Sequence, residues 1–151
     1  MVESGSPDTT FALGEALGRR LAGGDVILLS GELGSGKTRL AQGIAAGLGV
    51  SEPVKSSSFI LLAEYQGRVR LYHADLYRLT SREEVADLAL EEYARDGVLV
   101  VEWPERAAEE LPAEHLRLDF EHAGETKRRI AFSAHGRRPR TLLEEVEGEW
   151  P

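Results

Sequence analysis

The chain has 151 residues, 18 Lys and Arg against 26 Asp and Glu, a formal net charge of −8, and no cysteine. That length suits one domain with a real core and is too short for two large lobes. The missing cysteines exclude a disulfide scaffold, cysteine-ligated zinc and thiol catalysis, and the acidic balance argues against a protein whose main task is to grip nucleic acid, where clustered Lys and Arg supply the affinity. Neither a run of the roughly 18 apolar residues that a membrane helix needs nor a signal-type N-terminus is seen, so a cytoplasmic protein without membrane contact is expected.

In residues 8–22, Leu13, Ala16, Leu17, Arg20 and Leu21 fall on one side, which predicts an amphipathic helix from Asp8 or Thr9, stopped by Gly23-Gly24-Asp25. Val26-Ile27-Leu28-Leu29 then has the length and composition of a strand buried on both faces. Gly31-Glu32-Leu33-Gly34-Ser35-Gly36-Lys37-Thr38 follows and fits GxxxxGK[ST], the Walker A pattern of a loop whose backbone N–H groups wrap nucleotide phosphates. Its glycines permit positive φ and close approach of backbone, Lys37 can place an ammonium on the β/γ-phosphates, and the Thr38 hydroxyl can ligate Mg2+. Leu40, Ala41, Ile44, Ala45 and Leu48 then recur as one helical face, so the loop opens a helix whose N-terminus favours anions. Gly43 and Gly47 each cost that helix about 1 kcal/mol against Ala, which close packing on a neighbouring element would explain.

Residues 58–65 and 68–75 read as an antiparallel hairpin turned at Gln66-Gly67, with Val69, Leu71, His73 and Asp75 sharing one face. Ser81 and Glu84 form a capping box for a helix running toward Arg95 with Val85, Leu88, Ala89 and Tyr93 inward. Val98-Leu99-Val100-Val101 repeats the apolar run of the first core strand, ends on Glu102, and is placed parallel to it in the sheet centre. A helical turn is expected at 107–111 and a last hairpin from 116–120 and 129–132. From His135 the sequence turns polar, so 1–135 is read as the domain and 136–151 as a polar C-terminal tail in which Leu142, Leu143 and Val146 hint at a short helix. Lys127-Arg128-Arg129 and Arg137-Arg138-Pro139-Arg140 are the candidate basic patches.

A phosphate loop needs a metal site, and Mg2+ takes one or two carboxylates along with substrate oxygens and water. Glu102 is the first candidate, because four apolar residues followed by an acid form a Walker B strand; Asp75, at the end of its own strand face, is the second. The expected fold is therefore a three-layer α/β domain of P-loop type, with a mixed sheet that is parallel at its centre and antiparallel in its hairpins.

Taken together, the phosphate loop, Val54-Lys55-Ser56-Ser57-Ser58-Phe59, His73-Ala74-Asp75-Leu76-Tyr77-Arg78-Leu79, Glu102-Trp103-Pro104-Glu105 and the opening Thr10-Phe11-Ala12-Leu13-Gly14 resemble the TsaE (YjeE) family. These are small P-loop ATPases of bacterial tRNA threonylcarbamoyladenosine (t6A) synthesis. One motif departs: the family's common Ser-Pro-Thr-Phe is Ser56-Ser57-Ser58-Phe59 here, which keeps a hydroxyl at Ser58 and loses the stiffening proline. The resemblance implies ATP rather than GTP, Mg2+ held by Thr38 with Glu102, and Asp75 required for hydrolysis, either to orient the attacking water or to complete the metal's outer shell. It implies a TsaD–TsaB complex as partner, reset by ATP turnover, with tRNA reached only through that complex and no DNA. Catalysis is then assigned to Lys37, Asp75 and Glu102, the metal to Thr38, Asp75 and Glu102, and nucleotide contacts to Thr10, Gly34, Ser35, Gly36, Lys37, Thr38, Arg39, Ser58, Trp103 and Arg129. His73 is either a modifier of Asp75 or a packed strand residue. A small-molecule kinase built on the same loop, and an adaptor that senses nucleotide without turning it over, are the two other readings.

Overall fold

The computed structural model describes residues 2–32, 34–54, 62–79, 83, 86, 88–107 and 110–150. Within them lie β1 (Val2–Ser4), α1 (Pro7–Arg20), β2 (Val26–Gly31), α2 (Lys37–Gly47), β3 (Leu62–Tyr65), β4 (Leu71–Asp75), α3 (Leu90–Ala94), β5 (Val98–Glu102), a 3-10 turn (Pro104–Arg106), β6 (His115–His122), β7 (Arg128–His135) and α4 (Arg137–Glu149). All the strands join one sheet in the order β1-β7-β6-β2-β5-β4-β3. Strands β6, β2, β5 and β4 run parallel, and β7 and β3 pair antiparallel at either side of that block.

Three layers follow from the alternation along the central strands. Ile27, Leu29, Val98 and Val100 face a core shared with Leu13 and Leu17 of α1, Leu40 and Ile44 of α2, and Leu142 and Val146 of α4. Val26, Leu28, Leu99 and Val101 face the opposite core, closed by Leu90, Ala94, Ala107 and Leu111. The parallel centre expected at 26–30 and 98–102 is thus present, with every residue of β5 buried.

Helix α1 starts at Pro7 because the Ser6 side chain caps it, accepting from the Thr9 N–H at 3.1 Å. Its crossing with α2 is made of backbone. A Cβ on Gly43 would stand 2.2 Å from the Phe11 carbonyl oxygen, and one on Gly47 2.3 Å from that of Glu15. Both α2 glycines therefore have the close-packing reason the sequence left open, and the tight crossing fixes where α2 begins.

Several expectations change. The first hairpin is turned over residues 66–70, because Tyr65 pairs with Leu71, and not at Gln66-Gly67 alone. The helix expected to run unbroken to Arg95 is interrupted at Ala89, which is exposed with φ 49°; Leu88 and Tyr93 pack inward as expected, joined by buried Leu90 and Ala94, while Val85, Ser81 and Glu84 lie outside the described residues. A 3-10 turn at Pro104–Arg106 precedes the helical turn expected at 107–111, which is present where it is described: the Glu110 N–H donates to Ala107 O at 2.8 Å. The polar tail is a helix of thirteen residues, α4, with Pro139, Leu142 and Val146 buried. Its anchor is electrostatic as well as apolar: Arg138 donates to both carboxylate oxygens of buried Asp25 at 3.1 Å, and Arg20 donates to Glu149 at 2.6 Å. Strand β1, only three residues long, has no sequence signal of its own.

Candidate functional site

The site is built where three parallel strands end beside the start of α2. Gly31 closes β2 with φ 145°, and Gly34 and Gly36 turn the loop with φ 76° and 104°. Such angles suit glycine and strain other residues. A Cβ at Gly31 would also stand 2.8 Å from the Phe120 carbonyl oxygen and 2.9 Å from Ser35 Oγ, so the loop lies directly against β6. Gly36 caps α2 and Lys37 is its first residue.

Lys37 is buried, 4 % exposed. Its Nζ donates to the Gly31 carbonyl at 2.6 Å and sits 3.6 Å from the centroid of the Trp103 ring. Burial lowers the ammonium's pKa, opposed by the carboxylates of Glu102, Glu105 and Asp75. Trp103 reaches this place because β5 ends in a left-handed residue: its φ of 60° is strained for an aromatic side chain, and its N–H donates to Leu29 O at 3.2 Å. The ring also meets that of Tyr77 at 4.9 Å.

Asp75 and Glu102 are register partners at the tips of β4 and β5. Both fall on the face turned to α2, in phase with Leu71 and with Val98 and Val100. Glu102 is 2 % exposed and its Oε2 lies 2.7 Å from His73 Nε2, itself buried. Asp75 is partly buried and accepts from the Tyr77 N–H at 3.1 Å. Desolvation raises its carboxyl pKa; that N–H opposes the rise, the nearby Glu102 charge adds to it, and His73 and Lys37 oppose it.

A cavity of about 580 Å³ opens over this cluster, lined by Gly34, Ser35, Gly36, Lys37, Thr38 and Arg39 from the loop and helix and by Asp75, Glu102 and Trp103 from the strand ends. Arg39 is held at its rim, stacked 4.7 Å over Phe11 and donating to Gln42 at 3.2 Å. Among the described residues, Ser35 Oγ is buried without a hydrogen-bond partner, on the side of the loop packed toward Gly31 and β6. A buried lysine at a helix N-terminus, opening on this cavity, fits an oxyanion.

Other expected residues sit elsewhere. The Thr10 hydroxyl is turned away from the cavity, 2.6 Å from Ser4 Oγ, while its methyl backs Gly36. Arg129 points to Glu3, Nε to Oε1 3.4 Å, and not to the loop. Ser58 lies outside the described residues. The arginine on the loop is its neighbour, Arg128, whose guanidinium donates to Ser35 O at 3.1 Å and Gly34 O at 3.2 Å. A period-2 count from buried Ile130 would have found it, since 128 is in phase with 130 and 129 is not. The sequence reading also missed the partner of His73, which is Glu102 and not Asp75.

Chemically, the cavity combines an anion site with two carboxylates. Among the described residues no group of three or more His, Cys, Asp and Glu is placed to hold a metal. Two carboxylates and a hydroxyl are nonetheless a donor set that suits Mg2+, which keeps most of its water and takes substrate oxygens.

Residues 4–130 match the family described as threonylcarbamoyl adenosine biosynthesis protein TsaE. The chain belongs to the TsaE family. Two curated TsaE relatives carry the name tRNA threonylcarbamoyladenosine biosynthesis protein TsaE. That of Bacillus subtilis is 40% identical over 143 residues, 93% of this chain and 89% of its own. That of Treponema pallidum is 41% identical over 131 residues, 86% of this chain and 97% of its own. The fold agrees with the crystal structure of Bacillus subtilis YdiB, with a TM-score of 0.83 at 34% identity, covering 98% of this chain and 93% of that one. The TsaE match ends in β7, and the YdiB likeness extends through α4.

Proposed function

We propose that this TsaE-family chain binds ATP with Mg2+ at the 31–38 loop and hydrolyses it in support of t6A synthesis on tRNA, resetting a TsaD–TsaB complex between rounds. The observation that carries the reading is the convergence on one cavity of the start of α2, the buried Lys37 ammonium, and the register-paired carboxylates of Asp75 and Glu102. An anion site with no acids nearby would suit phosphate binding alone; the acids add what hydrolysis requires.

Thr38 and Glu102 are the residues that would hold Mg2+, and bound there it would neutralise charge on the phosphate oxygens. Lys37 exchanges its bond to Gly31 O for the β/γ-phosphates, so the ammonium is already desolvated and gains most from a phosphate partner. Glu102 is kept in place by His73, the kind of support a metal-side carboxylate needs. Asp75 then orients the attacking water; its partly buried carboxyl with a raised pKa is the better proton acceptor of the two roles the sequence allowed.

The net charge of −8 supports contact with tRNA through the partner complex and not directly. Among the described residues, no helix is long and apolar enough to cross a membrane. ATP hydrolysis measured alone and with TsaD–TsaB tests the reading: turnover that is slow alone and rises with the complex is expected, and ATP binding with no hydrolysis in either condition would leave only a nucleotide sensor.

A further inference from the structure

A loop that aims its N–H groups at a phosphate must aim carbonyls the other way, and each of those needs a donor. Arg128 is that donor for two consecutive peptide units. Its Nη2 binds the Gly34 carbonyl at 3.2 Å and its Nε binds the Ser35 carbonyl at 3.1 Å. The remaining Nη1 holds Lys127 O at 2.9 Å, with Glu125 O at 3.4 Å and Gly124 O at 3.5 Å. All of these acceptors are main-chain oxygens, and among the described residues no carboxylate forms an ion pair with Arg128.

Two consequences follow from peptide geometry. The chain has no cis bond in its described part, so in the Ser35–Gly36 unit the N–H of Gly36 points opposite to the carbonyl that Arg128 holds. A cation on the oxygen side also polarises the amide, which makes that N–H a stronger donor. The Ser35 N–H is meanwhile tied to Glu32 O at 3.1 Å, so both sides of the loop's turn are fixed. The pairing of Arg128 with His122 on β6 and Ser4 on β1 sets its place in the sheet, which makes the anchor rigid.

We infer that Arg128 is a positioning residue for the anion loop: its guanidinium holds the 34–36 peptide units in the phosphate-binding conformation and ties them to the turn between β6 and β7. The inference rests on the reading of the loop as a phosphate site. Only a planar fork reaches two carbonyls and the hairpin turn together, so a lysine, with one compact ammonium, does not replace it.

The test uses the full chain as wild type, Arg128→Gln, Arg128→Lys, and Arg140→Gln as a charge-matched change on the exposed part of α4. Mg·ATP affinity is measured by calorimetry, and the backbone amide resonance and hydrogen exchange of Gly36 are recorded without nucleotide. Arg128→Gln is expected to weaken Mg·ATP about tenfold or more and to shift and speed exchange of the Gly36 amide, as loss of charge-assisted bonds implies; Arg128→Lys falls between, and Arg140→Gln matches wild type. Wild type that binds Mg·ATP while Arg128→Gln binds it within twofold, with Gly36 unmoved, overturns the inference and leaves the phosphate site standing. Wild type that binds no Mg·ATP overturns the reading of the loop and the inference with it. Should Arg128→Gln not fold, Arg128→Lys decides: equal affinity and an unmoved Gly36 amide overturn the inference, and weakened affinity with a shifted amide supports it.

Discussion

His73 Nε2 and Glu102 Oε2 lie 2.7 Å apart, both side chains almost wholly out of solvent, one strand away from each other in the parallel centre of the sheet. A buried carboxylate in this position depends on its donor. Replacing His73 with Phe leaves Glu102 without it, and Mg·ATP affinity is expected to fall about 10–100-fold, the usual cost of losing support behind a metal-side carboxylate. Gln at 73 keeps an N–H donor of similar reach and should retain more. Calorimetric titration with and without Mg2+ checks this, because the loss belongs to the metal-dependent part of the affinity.

Asp75 carries a stability cost together with its proposed role. Its folded pKa is raised above the ordinary 3.8 by desolvation first, so the native state keeps the proton longer than the unfolded chain does. Its stability contribution is fully present below that ordinary value and is lost as pH rises through the raised one. Asp75→Asn should therefore melt higher than wild type at pH 7 and equally below about pH 3.8. The same variant should lose about 100-fold or more in kcat with a small change in KM, and the acid limb of the wild-type kcat/KM profile, which reports the free protein, should lie above pH 3.8.

The Lys37 ammonium lies 3.6 Å from the centroid of the Trp103 ring. In a Trp150→Phe background Trp103 is the one remaining tryptophan of the two in the chain. Binding of Mg·ATP should draw the cation off the ring and change the emission. Lys37→Met should abolish that change and weaken ATP about 10–100-fold, the worth of a charge-assisted bond to phosphate.

What was readable in the sequence was whatever depended on neighbours in the chain. The β2–loop–α2 unit was legible because its apolar run, glycines and helical face are consecutive, and Asp75 and Glu102 because each ends its own apolar strand face. Contacts made through register were not. His73 meets Glu102 only because β4 lies beside β5, a strand order that neither segment encodes locally. The choice between Arg128 and Arg129 turned on strand phase, and Ile130, Phe132 and Ala134 did supply that phase. The last helix was underestimated for a different reason: its apolar face is narrow, and the salt bridge from Arg138 to Asp25 spans more than a hundred residues.

The α1–α2 crossing offers a test of the fold independent of ligand. Gly43→Ala would drive a Cβ against the Phe11 carbonyl and should destabilise by about 1–3 kcal/mol, read from chemical denaturation. Gly148, in the last turn of α4, has open space around it, and Gly148→Ala should stabilise by about 0.5–1 kcal/mol.

The most direct measurement is a crystal structure with Mg2+ and a non-hydrolysable ATP analogue. The account predicts the β- and γ-phosphates on the amides of Gly34 and of residues 36–38, Lys37 Nζ moved from Gly31 O to a phosphate oxygen, and the metal on the side of Thr38 and Glu102. A nucleotide bound elsewhere, or one bound there with Asp75 and Glu102 turned away from it, would contradict it.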